Sequence, residues 1–358
     1  MMQSDKFFGL LRYAIGTTDD FQPLTEEEWA EAYDTCKKQS LQGIAFMGVS
    51  RLPVELQPPK QIKLRWFSLT EKIAKRNAKV EEVAVALSEQ LAKAGIPSCV
   101  LKGLGNAMMY PQPRMRTPGD IDIWLQAEPK RVIRVAKKHN KSAKAEYHHI
   151  DFLPIDGVPI EMHYRPSFMN SMINNHRLLR WFNETAPEQM NNRVELSDGV
   201  GQVSVPTAAF NRVYQMAHIS NHVIHEGIGL RQLLDYYYLL LQGFNDEEKL
   251  HDEELLKKFG LYRIASAVMY VLQEVFGLKP EQMIVPADAE QGKFLLDEIM
   301  MAGNFGQYDS RVKHNGGQLQ KNINRLKRDV RLVWHFPSEC LWEPVFRLWH
   351  FFWRLKNK

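Results

Sequence analysis

The stretch Gly119-Asp120-Ile121-Asp122-Ile123-Trp124-Leu125 decides the fold of this chain. Side chains of a β-strand alternate between its two faces, so Asp120 and Asp122 fall on the same face, about 6.5–7 Å apart along the backbone. The two isoleucines and the leucine then point the opposite way, toward a hydrophobic core. The segment therefore predicts a strand with one buried apolar face and one anionic face.

Around this strand, short β-like runs are separated by turn residues, beginning after Gly95 and Pro97. Asp156-Gly157 lies between two alternating runs, which is a strong signal for a hairpin. The pattern predicts an α/β core with one internal helix, Glu128 to Lys141, and four strands: Ser98 to Leu101, Ile121 to Leu125, Tyr147 to Leu153 and Val158 to Tyr164.

A third carboxylate, Glu161, falls on the polar face of the last strand, together with His163. If this strand pairs beside the Asp120 strand, three carboxylates converge at one edge of the sheet. Magnesium prefers oxygen ligands and is commonly held by carboxylates plus substrate phosphates, and two such ions lie about 3.5–4 Å apart in polymerase-type sites. One Asp-x-Asp pair alone is weak evidence for a metal site, since 16 Asp in 358 residues give about 0.7 such pairs by chance. The three acids together predict a metal-nucleotide site.

Four segments carry a resemblance to a known family: Leu101-Lys102-Gly103, Arg116 before Gly119-Asp120-Ile121-Asp122, Ile160-Glu161-Met162-His163, and Gly229-Leu230-Arg231-Gln232-Leu233-Leu234-Asp235. The chain resembles the nucleotidyltransferase superfamily with the DNA polymerase β-like fold, and within it the bacterial group of uncharacterised nucleotidyltransferases. The resemblance spans about residues 96–241. It implies an α+β fold, with a mixed sheet and helices as the core and helical regions on both sides.

This resemblance also implies an activity, namely Mg²⁺-dependent transfer of a nucleoside monophosphate from an NTP to a hydroxyl acceptor, with release of pyrophosphate. Asp120, Asp122 and Glu161 would be the catalytic acids and would hold the metal, with two Mg²⁺ ions expected. The residues expected to bind the nucleotide are Lys102, Gly103, Gly105, Arg116 and His163, with Arg114 as a further available cation. The chain departs from the family at the turn, where Leu104 follows Gly103 in place of Ser or Gly.

Helical periodicity dominates on both sides of the core, which predicts three regions: an N-terminal helical region at 1–95, the nucleotidyltransferase core at 96–206 and a C-terminal helical domain at 207–358. Thr25 and Glu28 form a possible capping box, and Pro53 to Pro59 interrupts the first helical region. Residues 343–358 combine aromatic and basic side chains. We interpret them as the core of a docking helix, with an anionic membrane surface or nucleic acid as the alternatives.

Two rival functions stay open from the sequence. One is a catalytically silent nucleotide-binding or scaffold protein with the same fold. The other is a helical metal phosphohydrolase built on His218, His222, His225 and Asp235, of which the histidines share one helix face. The histidines can equally line the cleft, and Arg231 with Asp235 is interpreted as an i, i+4 ion pair.

Composition limits the class of protein. The 358 residues carry 46 Lys and Arg against 42 Asp and Glu, and a formal net charge of +4 gives no strong signal for nucleic acid as a partner. No apolar run approaches the about 20 residues of a transmembrane helix, and the N-terminus is not typical of a signal peptide, so a cytoplasmic location is expected. Three scattered cysteines predict free thiols. The acceptor, whether small molecule or macromolecule, the preferred NTP and the oligomeric state stay open.

Overall fold

A computed structural model describes residues 4–312 and 317–356. The helices are α1 Ser4–Ile15, α2 Glu26–Gln39, α3 Gln42–Arg51, α4 Lys60–Lys93, α5 Lys102–Ala107, α6 Pro129–His139, α7 Met172–Asn191, α8 Ala208–His225, α9 Leu230–Leu240, α10 Asp246–Lys258, α11 Tyr262–Phe276, α12 Ala289–Ala302, α13 Gln318–Leu332 and α14 Pro337–Lys356. The strands are β1 Ser98–Val100, β2 Ile121–Leu125, β3 His149–Ile155, β4 Val158–His163, β5 Arg193–Glu195 and β6 Gln202–Ser204.

Strands β1 to β4 form a mixed sheet in the order β1-β2-β4-β3. β2 pairs in parallel with β4, whereas β1 and β3 are antiparallel to their neighbours. In the β2–β4 register Ile121 lies opposite Ile160 and Asp122 opposite Glu161. The alternation of apolar and polar residues selects this register, since a slip of one residue would turn Glu161 toward the apolar face.

The buried side chains form two hydrophobic clusters. One surrounds the sheet and draws on residues 80–205, including the second half of α4 and the helix α6. The other is mainly helical and combines residues of α1 to α3 with residues of α8 to α12. The helical regions before and after the sheet therefore share a core. The predicted division at residues 95/96 and 206/207 stays a prediction.

The structure agrees with most of the predicted elements and differs at several places. The capping box of Thr25 and Glu28 opens α2. Helical periodicity predicts helices at Thr207 to His225, Leu230 to Leu241, Glu247 to Phe259 and Arg263 to Phe276, and α8 to α11 match these bounds within about two residues. Apolar spacing predicts that the helix after the prolines resumes at Lys72, but α4 begins at Lys60 directly after Pro59, where a proline is tolerated because the first helical N–H groups need no helical acceptor. Helices α5 and α7 and the β5–β6 hairpin were not predicted.

The aromatic residues of the C-terminal helix divide between two environments. Trp349 and Trp353 contact the Tyr147 ring edge-on, with ring centroids 5.3 and 5.9 Å away. Phe351 and Phe352 are exposed. The expectation that these aromatics form the core of a docking helix is therefore wrong for the two phenylalanines, while the tryptophans are half-buried and contact the fold through Tyr147.

The observed class is a mixed α+β fold with helical flanks, as predicted. The three cysteines are buried and free, in agreement with the absence of a disulfide framework from the sequence. Within the described ranges, none of the helices has the length and apolar character that a bilayer-spanning segment needs.

Candidate active site

Three carboxylates converge where β2 and β4 run side by side. Asp122 and Glu161 are partners in the parallel register, and Asp120 directly precedes β2. All three line a cavity of about 550 Å³ between the sheet and the helices of the second cluster. Asp122 Oδ1 and Glu161 Oε2 lie 2.9 and 3.3 Å from the same ring nitrogen, Nε2 of His163. The structure thus brings together the acids that the sequence selected.

The charges of these acids are strongly unequal. Repulsion from Asp122, burial, and repulsion from Glu161 raise the pKa of Asp120 to about 7. Burial also opposes the ionisation of Asp122, but the Lys102 ammonium and the His163 hydrogen bond outweigh it and hold the pKa of Asp122 below its usual range. The pKa of Glu161 is lowered in the same way, against burial, by His163 and His149. Asp122 and Glu161 are therefore ionised at neutral pH, and Asp120 is the acid that can gain or lose a proton.

His163 lies behind the acids and does not line the cavity. Its Nδ1 is 3.4 Å from the carbonyl oxygen of Arg165, while Nε2 faces the two carboxylates. Carbonyl and carboxylate oxygens only accept, so both ring nitrogens donate. Burial disfavours the imidazolium, but the bonds to Asp122 and Glu161 raise the pKa of His163. The side chain expected to bind nucleotide is thus seen holding the two acids in position.

The turn between β1 and α5 directs a cation at Asp122. Lys102 has φ +37° and Gly103 φ +34°, a left-handed conformation that favours glycine. A Cβ at Gly103 would also lie 3.4 Å from the backbone oxygen of Asp120. In this turn Lys102 Nζ lies 2.8 Å from Asp122 Oδ1, and both Lys102 and Gly103 line the cavity.

Gly105 and Leu104, in contrast, serve packing. A Cβ at Gly105 would lie 3.0 Å from the backbone oxygen of Val100, so the small residue allows α5 to approach β1 closely. Gly105 does not line the cavity, and Leu104 is buried in the cluster around the sheet. The departure from the family turn therefore replaces a hydroxyl by a core contact.

Arg116 joins the sheet region to the helical region through a buried ion pair. Its Nε and Nη2 each donate at 2.7 Å to one carboxylate oxygen of Asp235 on α9. Tyr110 donates a further hydrogen bond at 2.6 Å to the same carboxylate. The predicted Arg231–Asp235 ion pair is therefore wrong, because Arg116 and Tyr110 satisfy Asp235 from across the fold. Arg116 lines the cavity, but two of its nitrogens are committed to this pair.

Arg114 is also committed elsewhere. Its guanidinium lies 2.7 Å from Glu81 and 2.5 Å from Asp198, outside the cavity lining.

Arg231 is the residue of this region that sequence reasoning misjudged. Its guanidinium is buried and lines the cavity, and Nη1 donates to the backbone oxygen of Thr117 at 3.0 Å. Nε is buried and has no hydrogen-bond partner in the part of the chain that the structure describes. Burial and the nearby Arg116 lower the pKa of Arg231 to about 10. Its only sequence signal was its position in the Gly229–Asp235 segment of the family resemblance.

Helix α8 forms the opposite wall of the cavity. His218, His222 and His225 all line it, in agreement with the cleft-lining interpretation of their spacing. Nε2 of His218 and Nε2 of His222 lie 2.9 Å apart. Burial and Lys102 lower the pKa of His218 well below its usual value, and burial lowers the pKa of His225 to about 4. These two imidazoles are therefore neutral at pH 7.

A second pair of neutral imidazoles lies beside the acids. Nδ1 of His149 is 3.0 Å from Nε2 of His148, and Nε2 of His149 is 3.8 Å from Glu161 Oε2. Burial, with the neighbouring histidines, lowers the pKa of both rings.

The acids fit a divalent cation better than the α8 histidines do. Across residues 4–312 and 317–356, the groups of three or more ligand atoms within 4.8 Å of one another all come from β2, β3, β4 and His148, and they include Asp122 with Glu161. His218, His222 and His225 belong to none of these groups, and neither does Asp120, so the grouping of ligand atoms supports Asp122 and Glu161. Carboxylate oxygens are the ligands that Mg²⁺ prefers, and the repulsion that raises the pKa of Asp120 is what a bound cation would relieve.

A mixed sheet that presents three acids to a cleft walled by helices defines a class of α+β proteins with an acidic, polar binding site. Residues 25–277 match the family described as uncharacterised nucleotidyltransferase, so the chain belongs to that family. This membership supports a general nucleotidyltransferase role with an NTP as substrate, and it confirms the family predicted from the sequence.

Comparison with individual proteins adds little. No curated protein is significantly similar to the chain. Among solved structures it is similar to a crystal structure of an antigenic nucleotidyltransferase-like protein from Paracoccidioides brasiliensis, with 10% sequence identity and a TM-score of 0.37, over 59% of this chain and 95% of that chain.

Proposed function

We propose that this protein is a Mg²⁺-dependent nucleotidyltransferase that moves a nucleoside monophosphate from an NTP to a hydroxyl acceptor and releases pyrophosphate. The observation that carries the proposal is the parallel register that sets Asp122 opposite Glu161, with Asp120 on the same cavity wall. Family membership supports the reaction class. We assign the metal to Asp120, Asp122 and Glu161, which can hold up to two ions.

Catalysis of this reaction depends mainly on positioning the reactants and neutralising the phosphate charge, and little on covalent chemistry by the protein. The acceptor oxygen forms a bond to the α-phosphorus, the bond from that phosphorus to the bridging oxygen breaks, and pyrophosphate leaves with the electron pair. Bound Mg²⁺ supplies charge neutralisation on the phosphates and the attacking oxygen. The proton of the acceptor hydroxyl goes to a base of the cleft, for which Glu161 and the neutral His149, 3.8 Å from it, are the candidates.

The leaving pyrophosphate needs cations, and Arg231 suits this role best. A guanidinium grips two phosphate oxygens at once. Arg116 is occupied by Asp235 and Lys102 by Asp122, whereas Arg231 has a buried Nε with no partner and no carboxylate within ion-pair distance among residues 4–312 and 317–356. We therefore assign the triphosphate to Arg231, with Lys102 as the second contact and Arg116 as the residue that fixes their surroundings.

Calorimetric titration with MgATP, MgGTP, MgCTP and MgUTP tests the proposal, together with pyrophosphate release from a panel of small hydroxyl compounds, sugar phosphates, RNA ends and protein hydroxyls. Asp120→Asn and Asp122→Asn should weaken metal-dependent binding and reduce release by at least about a hundredfold. Arg231→Gln should weaken NTP binding more than acceptor binding. Glu195→Gln, an exposed acid on β5, is the matched control and should behave as wild type.

The rival functions give different results in the same experiment. A silent scaffold would bind an NTP without releasing pyrophosphate from any member of the panel. A phosphohydrolase on α8 would lose activity in His218→Ala and keep it in Asp120→Asn. Either outcome would contradict the proposal.

A further inference from the structure

Helix α14 carries an apolar stripe on the face that points away from the protein. The stripe follows a spacing of four and three residues, which keeps its members on one side of a helix. Leu348 is 62% exposed and Phe352 is 60% exposed. The full stripe consists of Leu341, Val345, Leu348, Phe352 and Leu355, all of them exposed.

The preceding helix α13 carries exposed apolar side chains as well. Leu326, Val330 and Trp334, the last of which follows the helix in the short turn to α14, recur at four-residue spacing and are exposed. Trp334 is 82% exposed, an unusual state for so large an aromatic side chain. We call these three residues together with the α14 stripe the outer apolar surface. Eight exposed apolar side chains on two consecutive helices are a concentration of the kind that marks an interaction site.

The opposite faces of the two helices are firmly packed, so the exposure is not a sign of loose helices. Phe346 stacks on Phe168 with the ring centroids 5.0 Å apart. Glu339 Oε2 accepts the backbone N–H of Asn170 at 2.6 Å. Phe346 also lines the cavity. The fold thus holds the outer apolar surface in a fixed position on the outside.

Charge decides between the possible occupants of this surface. Residues 317–356 contain eight Lys and Arg but only three acidic residues, Asp329, Glu339 and Glu343, and all three acidic side chains are buried. Arg325, Lys327 and Arg354 are exposed on these two helices, whereas the acids of the same helices are buried; Arg354 also lies 3.6 Å from the carboxylate of Glu146. A second copy of the chain would bring the same cations face to face. Six of the eight side chains of the outer apolar surface are aliphatic, moreover, and these give nucleic acid bases little to stack on; the two aromatic ones are Trp334 and Phe352.

We propose that α13 and α14 dock the protein onto an anionic lipid surface, lying in its plane. The outer apolar surface would enter the boundary between headgroups and acyl chains, and the flanking Lys and Arg would contact lipid phosphates. Tryptophan and phenylalanine beside basic residues suit this boundary. The binding is peripheral, in keeping with the finding that no described helix can cross a bilayer.

Cosedimentation of the full chain with vesicles tests this directly. Vesicles with about 30 mol% phosphatidylserine in phosphatidylcholine should bind the protein, and pure phosphatidylcholine vesicles should bind it at least about tenfold more weakly. Salt at about 0.5 M should weaken the binding, since it screens the flanking charges. Equal binding to both vesicle types, or none to either, would overturn the proposal.

The variant Leu348→Glu/Phe352→Glu should lose vesicle binding by at least about tenfold. Both side chains are exposed, so the fold should survive, which circular dichroism checks. Leu250→Glu changes a leucine that is 63% exposed on α10 and should bind vesicles as wild type. If light scattering instead finds a dimer that only the double variant dissociates, while vesicles bind neither protein, the surface joins two copies and the lipid proposal is wrong. NTP binding by the double variant is measured separately, so failure here does not bear on the proposed enzyme.

Discussion

Replacing Asp235 by asparagine removes the negative charge that the buried guanidinium of Arg116 faces. The exposed fraction is only 6% for the Arg116 side chain and 3% for that of Asp235, so water solvates the pair poorly. Both carboxylate oxygens accept from Arg116 at 2.7 Å. After the change, the guanidinium keeps neutral partners, the backbone oxygen of Thr117 at 3.3 Å and the Tyr110 hydroxyl, and its charge has no opposite charge beside it.

The size of the effect follows from this geometry. Removing one partner of a buried, bidentate pair leaves an uncompensated charge and costs about 3–5 kcal/mol. Each kcal/mol lost from the free energy of unfolding lowers the melting temperature less in a long chain than in a short one. For a chain of this size the decrease is about 2 °C per kcal/mol. Asp235→Asn should therefore lower the melting temperature by about 6–10 °C.

Differential scanning calorimetry and urea denaturation measure this loss. The matched control is Asp198→Asn, whose carboxylate also pairs with an arginine, at 2.5 Å, but is 75% exposed. A surface pair contributes at most about 1 kcal/mol, so this control should melt near wild type. The double variant Arg116→Leu/Asp235→Leu should lose less stability than the two single leucine changes together, because it leaves no buried charge behind. A loss below about 1 kcal/mol in Asp235→Asn, or strict additivity of the leucine changes, would refute the reasoning.

Two further predictions concern packing and pH. Gly43→Ala should destabilise the protein by about 1–3 kcal/mol, because the new Cβ would lie 2.2 Å from the backbone oxygen of Met115. The control Gly9→Ala, whose Cβ would have nothing within 4 Å, should be neutral or stabilising. Equal melting temperatures for the two variants would contradict this prediction. Burial raises the pKa of Glu339 to about 7, against the hydrogen bond from the Asn170 N–H, so the folded state holds this proton more tightly than the unfolded state does. The protonated Glu339 carboxyl contributes its full stability below the unfolded pKa near 4.5, and this contribution is lost as the pH rises through 7. Glu339→Gln should therefore be as stable as wild type near pH 4 and more stable at pH 8, by up to about 3 kcal/mol. A stability difference that stays constant with pH in denaturation curves would show that the carboxyl does not titrate this way.

The acidic face of the site could be predicted because it depends on local periodicity. Alternation along 119–125 and 158–164 separates apolar from polar residues without knowledge of the rest of the fold. The same alternation excludes registers of β2 and β4 shifted by one residue, which would turn Glu161 toward the apolar face, but it does not exclude a shift by two. The hairpin between β3 and β4 could also be predicted from a local signal, the Asp156-Gly157 pair between two alternating runs. In the structure both residues adopt the positive φ that such a turn requires.

The helical side of the cleft could not be predicted in the same way. Asp235 has an arginine at i−4 on its own helix, and local rules favour that pair. Its actual partner, Arg116, is 119 positions away, and no local pattern encodes such a contact. The same limit applies to α14, where the sequence indicated an amphipathic helix but could not tell which aromatics would face Tyr147 and which would face outward.

These long-range contacts tie the acidic side of the cleft to Arg231 on α9, the residue proposed to meet the triphosphate. The backbone oxygen of Thr117 accepts hydrogen bonds from both Arg116 and Arg231, and Asp120 follows three residues later on the same segment. A phosphate that binds Arg231 competes with the Thr117 oxygen for its donors, and so acts on the segment that positions Asp120. Because coupling between two sites is reciprocal, a cation that fixes Asp120 must alter phosphate binding at Arg231 by the same factor. The helical region is thereby more than a lid over the sheet, since α9 supplies both the anchor of the acidic segment and the cation that a triphosphate would meet.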